Sequence, residues 1–261
     1  MRNIKINKNL IIVIKSLVLT LIAIVLLELM LSLMRRADLN IVTDSLIENV
    51  LLEIVILIVP ILIIRKYSKG ELLSSIGVSH NKYSFKHMLI GICTGLVCSV
   101  AIYFVLYIMK LYTFKGIGLT FAMTNAASLF IRCFFAGICE EIFFRGVLLN
   151  YLARWRGKIF GLIVSSIIFA VFHTTRYDTL SPLFYVLIMG ILLGYFYIIT
   201  KSLYLSIGLH FATDFFINLP CIFISDVNIK LEQNLFSVSS IIYSCLLVIL
   251  ILIRLRIKKN V

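Results

Sequence analysis

The chain has 261 residues, 61% of them hydrophobic and 14% charged, with a mean hydropathy of +1.08 and a formal net charge of +13. A soluble domain carries about 25% charged and about 45–50% apolar residues, so this composition excludes an ordinary soluble protein. With only 3 Pro and 13 Gly, and no low-complexity tract, polar linker or internal repeat, residues 1–261 read as one polytopic membrane domain, an all-α bundle of transmembrane helices.

Eight apolar stretches follow in chain order: 9–34, 46–64, 88–109, 119–152, 158–173, 182–200, 203–219 and 236–254. The first resembles a signal peptide, but Lys15 interrupts it and no small-residue cleavage site follows, so a retained span is expected. The fourth is longer than a crossing requires. Its opening, "LTFAMTNAASLFIRCFF", is less oily and is expected to tilt or to lie along the interface. The fifth and seventh are near the ~17-residue lower limit for a span.

Positive charge orients these segments. With the N-terminus inside, the inner segments hold Arg2, Lys5, Lys8, Arg65, Lys66, Lys69, Lys82, Lys86, Arg154, Arg156, Lys158, Lys201, Arg254, Arg256, Lys258 and Lys259. The outer segments hold only Arg35, Arg36, Lys110, Lys115, Arg176 and Lys230. Both termini are therefore expected in the cytoplasm. The excess charge is accounted for by topology and anionic lipid, without nucleic acid. The six cysteines (93, 98, 133, 139, 221 and 245) form no C-x-x-C pair and read as packing residues rather than a disulfide framework or thiolate metal site.

Ionisable groups inside spans cost several kcal/mol each unless paired or facing water, so they carry the functional information. They are Lys15, Glu28, Glu53, Arg132, Glu140, Glu141, Arg145, His173, His210 and Asp214. Lys15 can snorkel to the interface. Glu28 and Glu53 could pair with Lys15, Arg132 or each other, and Arg132 could neutralise a carboxylate or reach headgroups. The remaining six fall in pairs at helical spacing. Glu141 and Arg145 share a face as an i,i+4 ion pair, while Glu140 is rotated by about 100° toward another helix. Phe169 and His173 in "FAVFH" are four apart, as are His210 and Asp214 in "HFATD".

Counting from the basic turn Arg154–Lys158, Glu140 and His173 each lie about 21–23 Å along their helices, so an antiparallel pair brings them to one depth. His210 and Asp214 lie about 10–17 Å along the seventh helix if it starts near Leu203, a looser match. A glutamate in such a place can take a proton from water while a histidine orients that water or protonates a leaving amine. The His210/Asp214 face could stabilise an oxyanion. Alternatively, Glu140, His173 and His210 could hold a divalent metal such as zinc that activates the water. There is no H-E-x-x-H, G-x-S-x-G, Walker A or dinucleotide-binding pattern.

"EEIFFR", "FAVFH" and "HFATD", in that order, resemble the three motifs of the CAAX-protease and bacteriocin-processing (Abi) family of intramembrane proteases, which includes the type II CAAX prenyl endopeptidases. The resemblance covers about residues 85–220. It implies a membrane-embedded endopeptidase in which Glu140 and His173 activate water, His210 and the last-motif residue form the oxyanion site, and Glu141 and Arg145 brace them. Metal-dependent and metal-free mechanisms both remain open. One departure matters: Asp214 stands where the prenyl endopeptidases carry Asn, and an ionised Asp would repel an oxyanion unless it orients His210, is protonated or ligates a metal. The implied substrate is a membrane-associated peptide or protein, reached from the cytoplasm or laterally from lipid. The Ile- and Lys-rich composition points to a bacterium, where the resemblance implies bacteriocin processing or self-immunity. The alternative is a non-enzymatic immunity protein or a small transporter relaying protons through Glu28 or Glu53.

Overall fold

A run of Leu, Ile and Val in lipid must satisfy every backbone N–H and C=O within itself, and a helix is the local way to do so. The computed structural model describes residues 7–36, 45–67, 76, 78, 82–111, 119–174, 179–222 and 229–259, which are helical apart from turns and short connections, with no strand among them. The helices are α1 (Lys8–Arg36), α2 (Ser45–Tyr67), α3 (Ser84–Ile108), α4 (Leu119–Glu141), α5 (Asn150–Arg156), α6 (Lys158–Phe172), α7 (Leu180–Thr200), α8 (Tyr204–Asn218) and α9 (Ile229–Lys259). A π-helical segment, Ile142–Leu149, joins α4 to α5, and its flanking residues Glu141 and Asn150 keep helical dihedrals, so residues 119–156 form one long rod. Counted so, eight rods stand where eight apolar stretches were expected.

Five helices among the described residues are long and apolar enough to cross a membrane: Lys8–Arg36, Ser45–Tyr67, Ser84–Ile108, Leu180–Thr200 and Asn234–Ile257. The chain is a multi-pass membrane protein. Large apolar side chains on the outside of α1, such as Val25, Leu26 and Leu33, face lipid, where exposure carries no hydrophobic penalty. The shared core runs through the π segment, α7 and α8, with Phe143, Leu148, Leu192, Leu193 and Leu209 fully buried.

Two features of this packing position the chemistry. The first is the turn between α5 and α6, where Gly157 takes φ +95°, a left-handed conformation that favours glycine, and folds α6 back on α5 as the basic hairpin expected there. The second is the approach of α3 to α8. A Cβ added at Gly208 would meet the Met88 carbonyl oxygen at 2.3 Å, and one added at Gly91 would meet the Leu205 carbonyl oxygen at 2.3 Å. Gly91 and Gly95 form the small-xxx-small spacing that lets membrane helices touch backbone to backbone. Because α8 carries His210 and Asp214, this contact sets where they sit. Gly208→Ala forces the backbones apart, and a loss of about 1–3 kcal/mol is expected from such overpacking. A lowered midpoint of thermal unfolding in detergent measures it, and an unchanged midpoint contradicts the close contact.

Of the partners left open for Glu28 and Glu53, Lys15 is taken up elsewhere. Lys15 Nζ donates to Tyr67 Oη at 3.0 Å, at the end of α2. Arg35 instead pairs with Glu48, Nη1 to Oε1 at 2.5 Å. Cys93, Cys98, Cys133, Cys139 and Cys245 are free thiols. Arg2, Lys5, Lys69, Lys115 and Arg176, together with the side chains of Cys221, Lys230, Lys258 and Lys259, lie outside the described residues.

Candidate active site

The three polar pairs meet. Glu140 and Glu141 end α4, and Arg145 follows one turn later within the π segment. Such wide turns shift the register of the residues beyond them and concentrate at functional sites. His173 caps the C-terminus of α6, and His210 lies in the middle of α8. Glu141 and Arg145 are 0% and 1% exposed, so the most polar pair in the bundle is also among its most enclosed.

Glu141 Oε1 is the hub of the enclosed side. It accepts from Arg145 Nη1 at 2.6 Å and sits 2.8 Å from His210 Nδ1. Because a carboxylate only accepts, His210 carries its proton on Nδ1 here and turns Nε2 away from Glu141. Arg145 is held from its other side by the Gly190 carbonyl oxygen, 3.3 Å from Nη2, and its guanidinium lies over the Phe169 ring at 4.4 Å. A charge-assisted bond, a carbonyl and an aromatic face together offset part of the desolvation of a buried cation.

On the other side, His173 Nδ1 lies 2.9 Å from the Phe169 carbonyl oxygen. A carbonyl also only accepts, so the proton sits on Nδ1 and Nε2 is turned toward Glu140. Glu140 Oε2 is 3.9 Å from His173 Nε2 and 3.9 Å from His210 Nε2, and it is buried without a hydrogen bond. His210 Nε2 is 3.4 Å from Asp214 Oδ2. Phe169 packs against both imidazoles, with ring centroids 4.7 Å from His173 and 6.0 Å from His210.

The depth mismatch expected for α8 has a structural cause. Ser202 and Leu203, which lead into α8, are 1% and 0% exposed, so the helix starts already packed within the bundle. Six residues of α8 therefore bring His210 level with a glutamate that lies far deeper along its own helix.

Two cavities flank the site. One, of about 360 Å³, is mostly apolar and is lined by Leu21, Ile24, Ile56, Phe172, Glu140 and His173. The other, also about 360 Å³, is polar and is lined by Asn49, Glu53, Arg132, Asp214 and Asn218. Asn49 and Glu53 of α2 border both. Sequence reasoning set Glu53 apart from the motif residues, and only the docking of α2 against α4 reveals it at the site. The Gly190 carbonyl had no sequence signal at all, because any residue supplies a carbonyl.

A metal ion held by Glu140, His173 and His210 would need donor atoms about 3.3 Å apart, the edge of a tetrahedral zinc shell. The measured separations from Glu140 Oε2 are 3.9 Å. Among the described residues no three His, Cys, Asp or Glu side chains converge closely enough to hold a metal. As placed, the donors do not form a ligand set.

Residues 122–216 match the family model described as "Type II CAAX prenyl endopeptidase Rce1-like". No curated protein and no solved structure matches the chain. The matched stretch, residues 122–216 of 261, contains all three motifs and every polar contact of the site just described, and over that stretch the chain is similar to the type II CAAX prenyl endopeptidases.

Proposed function

We propose that the chain is an intramembrane endopeptidase in which Glu140 is the general base. The observation that carries this reading is the position of Glu140 Oε2, unbonded and 3.9 Å from two imidazole Nε2 atoms. One water oxygen fits between such a trio at ordinary hydrogen-bond lengths of about 2.7–3.0 Å. That water donates to Glu140 and to the Nε2 lone pair of His173, which aims its own oxygen at the scissile carbonyl carbon. As the C–O bond forms, the proton passes to Glu140, and the carbonyl oxygen becomes the oxyanion of a tetrahedral intermediate. Collapse breaks the C–N bond, and Glu140 returns the proton to the departing nitrogen.

His210 is the group placed to face the oxyanion. Its Nδ1–H is anchored on Glu141, whose own charge is shared with Arg145, so the ring cannot turn. Glu141 and Arg145 in this scheme are positioning residues. Asp214 lies beside His210 Nε2 and helps hold a proton there, which removes the conflict between an acidic side chain and an oxyanion. Asp214→Asn restores an amide that can itself donate, so peptide cleavage is expected to stay within about tenfold of the wild type, whereas His210→Ala loses it. Steady-state cleavage of one peptide by both variants checks this. A larger loss for Asp214→Asn would make Asp214 indispensable.

The substrate class we infer is a membrane-associated peptide or protein. The apolar cavity, bounded by α1, α2 and α6, offers its lipid-soluble part a lateral route to Glu140 and His173, and the polar cavity receives the chain on the far side. A bacterial plasma membrane with both termini in the cytoplasm, and a role in peptide processing or self-immunity, complete the proposal. The direct test is mass-spectrometric detection of new termini in membrane peptides incubated with the purified full chain. Cleavage by the wild type and not by a Glu140 variant supports the reading, and cleavage by neither removes it.

A further inference from the structure

The first half of α1 and the last turn of α2 meet at a place the candidate active site does not use. The two helices run antiparallel, joined at one end by Arg35 and Glu48 and at the other by Lys15 and Tyr67. At the second end a cleft of about 370 Å³ lies between them. Lys15, Lys66 and Tyr67 line it with polar groups, and Ile14, Val18, Leu19 and Ile63 with apolar ones. Leu19 follows Lys15 by four residues and Ile63 precedes Tyr67 by four, so on each helix the apolar wall lies one turn, about 6 Å, farther into the span. Ile14, Val18 and Leu19 are exposed on a helix long and apolar enough to cross a membrane, so that wall opens toward lipid. Lys8 Nζ and Lys15 Nζ lie 5.6 and 5.7 Å from the centre of the same Tyr67 ring. The charges acting on the Tyr67 hydroxyl are those of Lys15, Lys66 and Lys8, with no carboxylate among the described residues joining them. Snorkelling to water accounts for one lysine placed inside an apolar run. It gives no reason for three ammonium groups to gather round one phenol, where they repel one another unless they share an anion.

We propose that this cleft binds one anionic glycerophospholipid, its phosphate held by Lys8, Lys15, Lys66 and Tyr67 and its acyl chains laid along the apolar wall. The donors suit a phosphate. Tyr67 Oη accepts from Lys15 Nζ, which leaves its own O–H to donate, and the Lys15 ammonium keeps two more N–H groups. Ammonium groups bind phosphate oxygens through charge-assisted bonds. The wall decides the kind of anion. A free anion matches the lysines and leaves the apolar side uncovered, and a zwitterionic lipid brings a cation of its own to a place that already holds three. Basic pockets between spans are where anionic headgroups bind. Such a lipid touches both helices, through Lys15 of α1 and Lys66 of α2. Farther along, the same two helices wall the apolar cavity beside Glu140, so the lipid fastens together the pair that flanks it. The proposal does not depend on the endopeptidase reading.

The test titrates the purified full chain in detergent with phosphatidylglycerol, or with phosphatidylcholine of the same acyl chains, and counts bound lipid by native mass spectrometry. The first phosphatidylglycerol is expected to bind at least about tenfold more tightly than phosphatidylcholine, at about fivefold for each lysine near the phosphate. Lys15→Gln with Lys66→Gln should bring phosphatidylglycerol down to the level of phosphatidylcholine. Arg254→Gln with Arg256→Gln, which removes the same charge from exposed positions of α9, should leave the first lipid bound as before. Tyr67→Phe keeps every charge and the ring, and the lost donor should weaken phosphatidylglycerol about two- to tenfold. Excess inorganic phosphate should leave the lipid in place. Equal binding of the two lipids by the wild type overturns the proposal. Equal losses in the two double variants, or an affinity indifferent to Tyr67→Phe, reduce the effect to surface charge and overturn it as well. Displacement by inorganic phosphate would give the cleft to a free anion instead. Thermal unfolding in detergent without added lipid shows which variants fold, and if the glutamine pair does not, Tyr67→Phe decides by itself.

Discussion

Glu140→Gln abolishes peptide cleavage and leaves the protein folded: that is the largest effect the structure leads us to expect. A general base contributes about 10²–10⁴-fold to a rate, and the amide of glutamine can take no proton from water. Stability should hold or rise, because Glu140 Oε2 is buried without a hydrogen bond and the substitution removes a charge from that place. His173→Ala should show the same division, since its one hydrogen bond runs from Nδ1 to the Phe169 carbonyl of its own helix and its Nε2 faces Glu140. Single-turnover cleavage paired with thermal unfolding in detergent reads both halves. If Glu140→Gln cleaves at the wild-type rate, the water-activating role belongs to another group.

Arg145 produces the opposite division, a loss of fold with activity following it. Arg145→Met leaves Glu141 buried, 0% exposed, without its ion-pair partner, and breaking such a pair from one side costs about 3–5 kcal/mol. The thermal midpoint should fall steeply, and the expressed protein should become sensitive to protease. Removing the charge from both sides, Glu141→Gln with Arg145→Met, should recover most of that stability, because replacing a buried ion pair as a whole is often neutral. Activity should stay depressed in the double variant, since His210 Nδ1 then faces a neutral amide in place of a carboxylate. A single Arg145→Met variant as stable as the wild type would mean the pair contributes nothing to the fold.

Much of this arrangement is visible in the residues themselves. Lipid permits few backbone solutions, so apolar run length marks two of the helices almost to the residue, 203–219 against Tyr204–Asn218 for α8 and 158–173 against Lys158–Phe172 for α6, whereas α9, Ile229–Lys259, runs past both ends of 236–254 because its polar ends are helical too. The i,i+4 spacings announce the Glu141–Arg145 pair and the His210–Asp214 pair, because both partners lie on one helix and its geometry is local. Gly91 and Gly95 have the four-residue spacing of small residues that close membrane packing requires, but the spacing names no partner helix, and only the structure shows that it is α8.

What the sequence determined by itself, then, is everything that depends on one helix at a time: the membrane class, the eight rods, the polar pairs and their approximate depth. Only the tertiary structure decided which atoms face one another. The π segment sets the register past Glu141, and the packing of α8 brings His210 Nε2 to 3.9 Å from Glu140 Oε2. Glu141, not Glu140, binds both Arg145 and His210, and α2 brings Asn49 and Glu53 to the same place. The Glu141–His210 contact alone joins residues 69 positions apart. These placements follow from how side chains of different helices interlock, and no periodicity within a single helix encodes that.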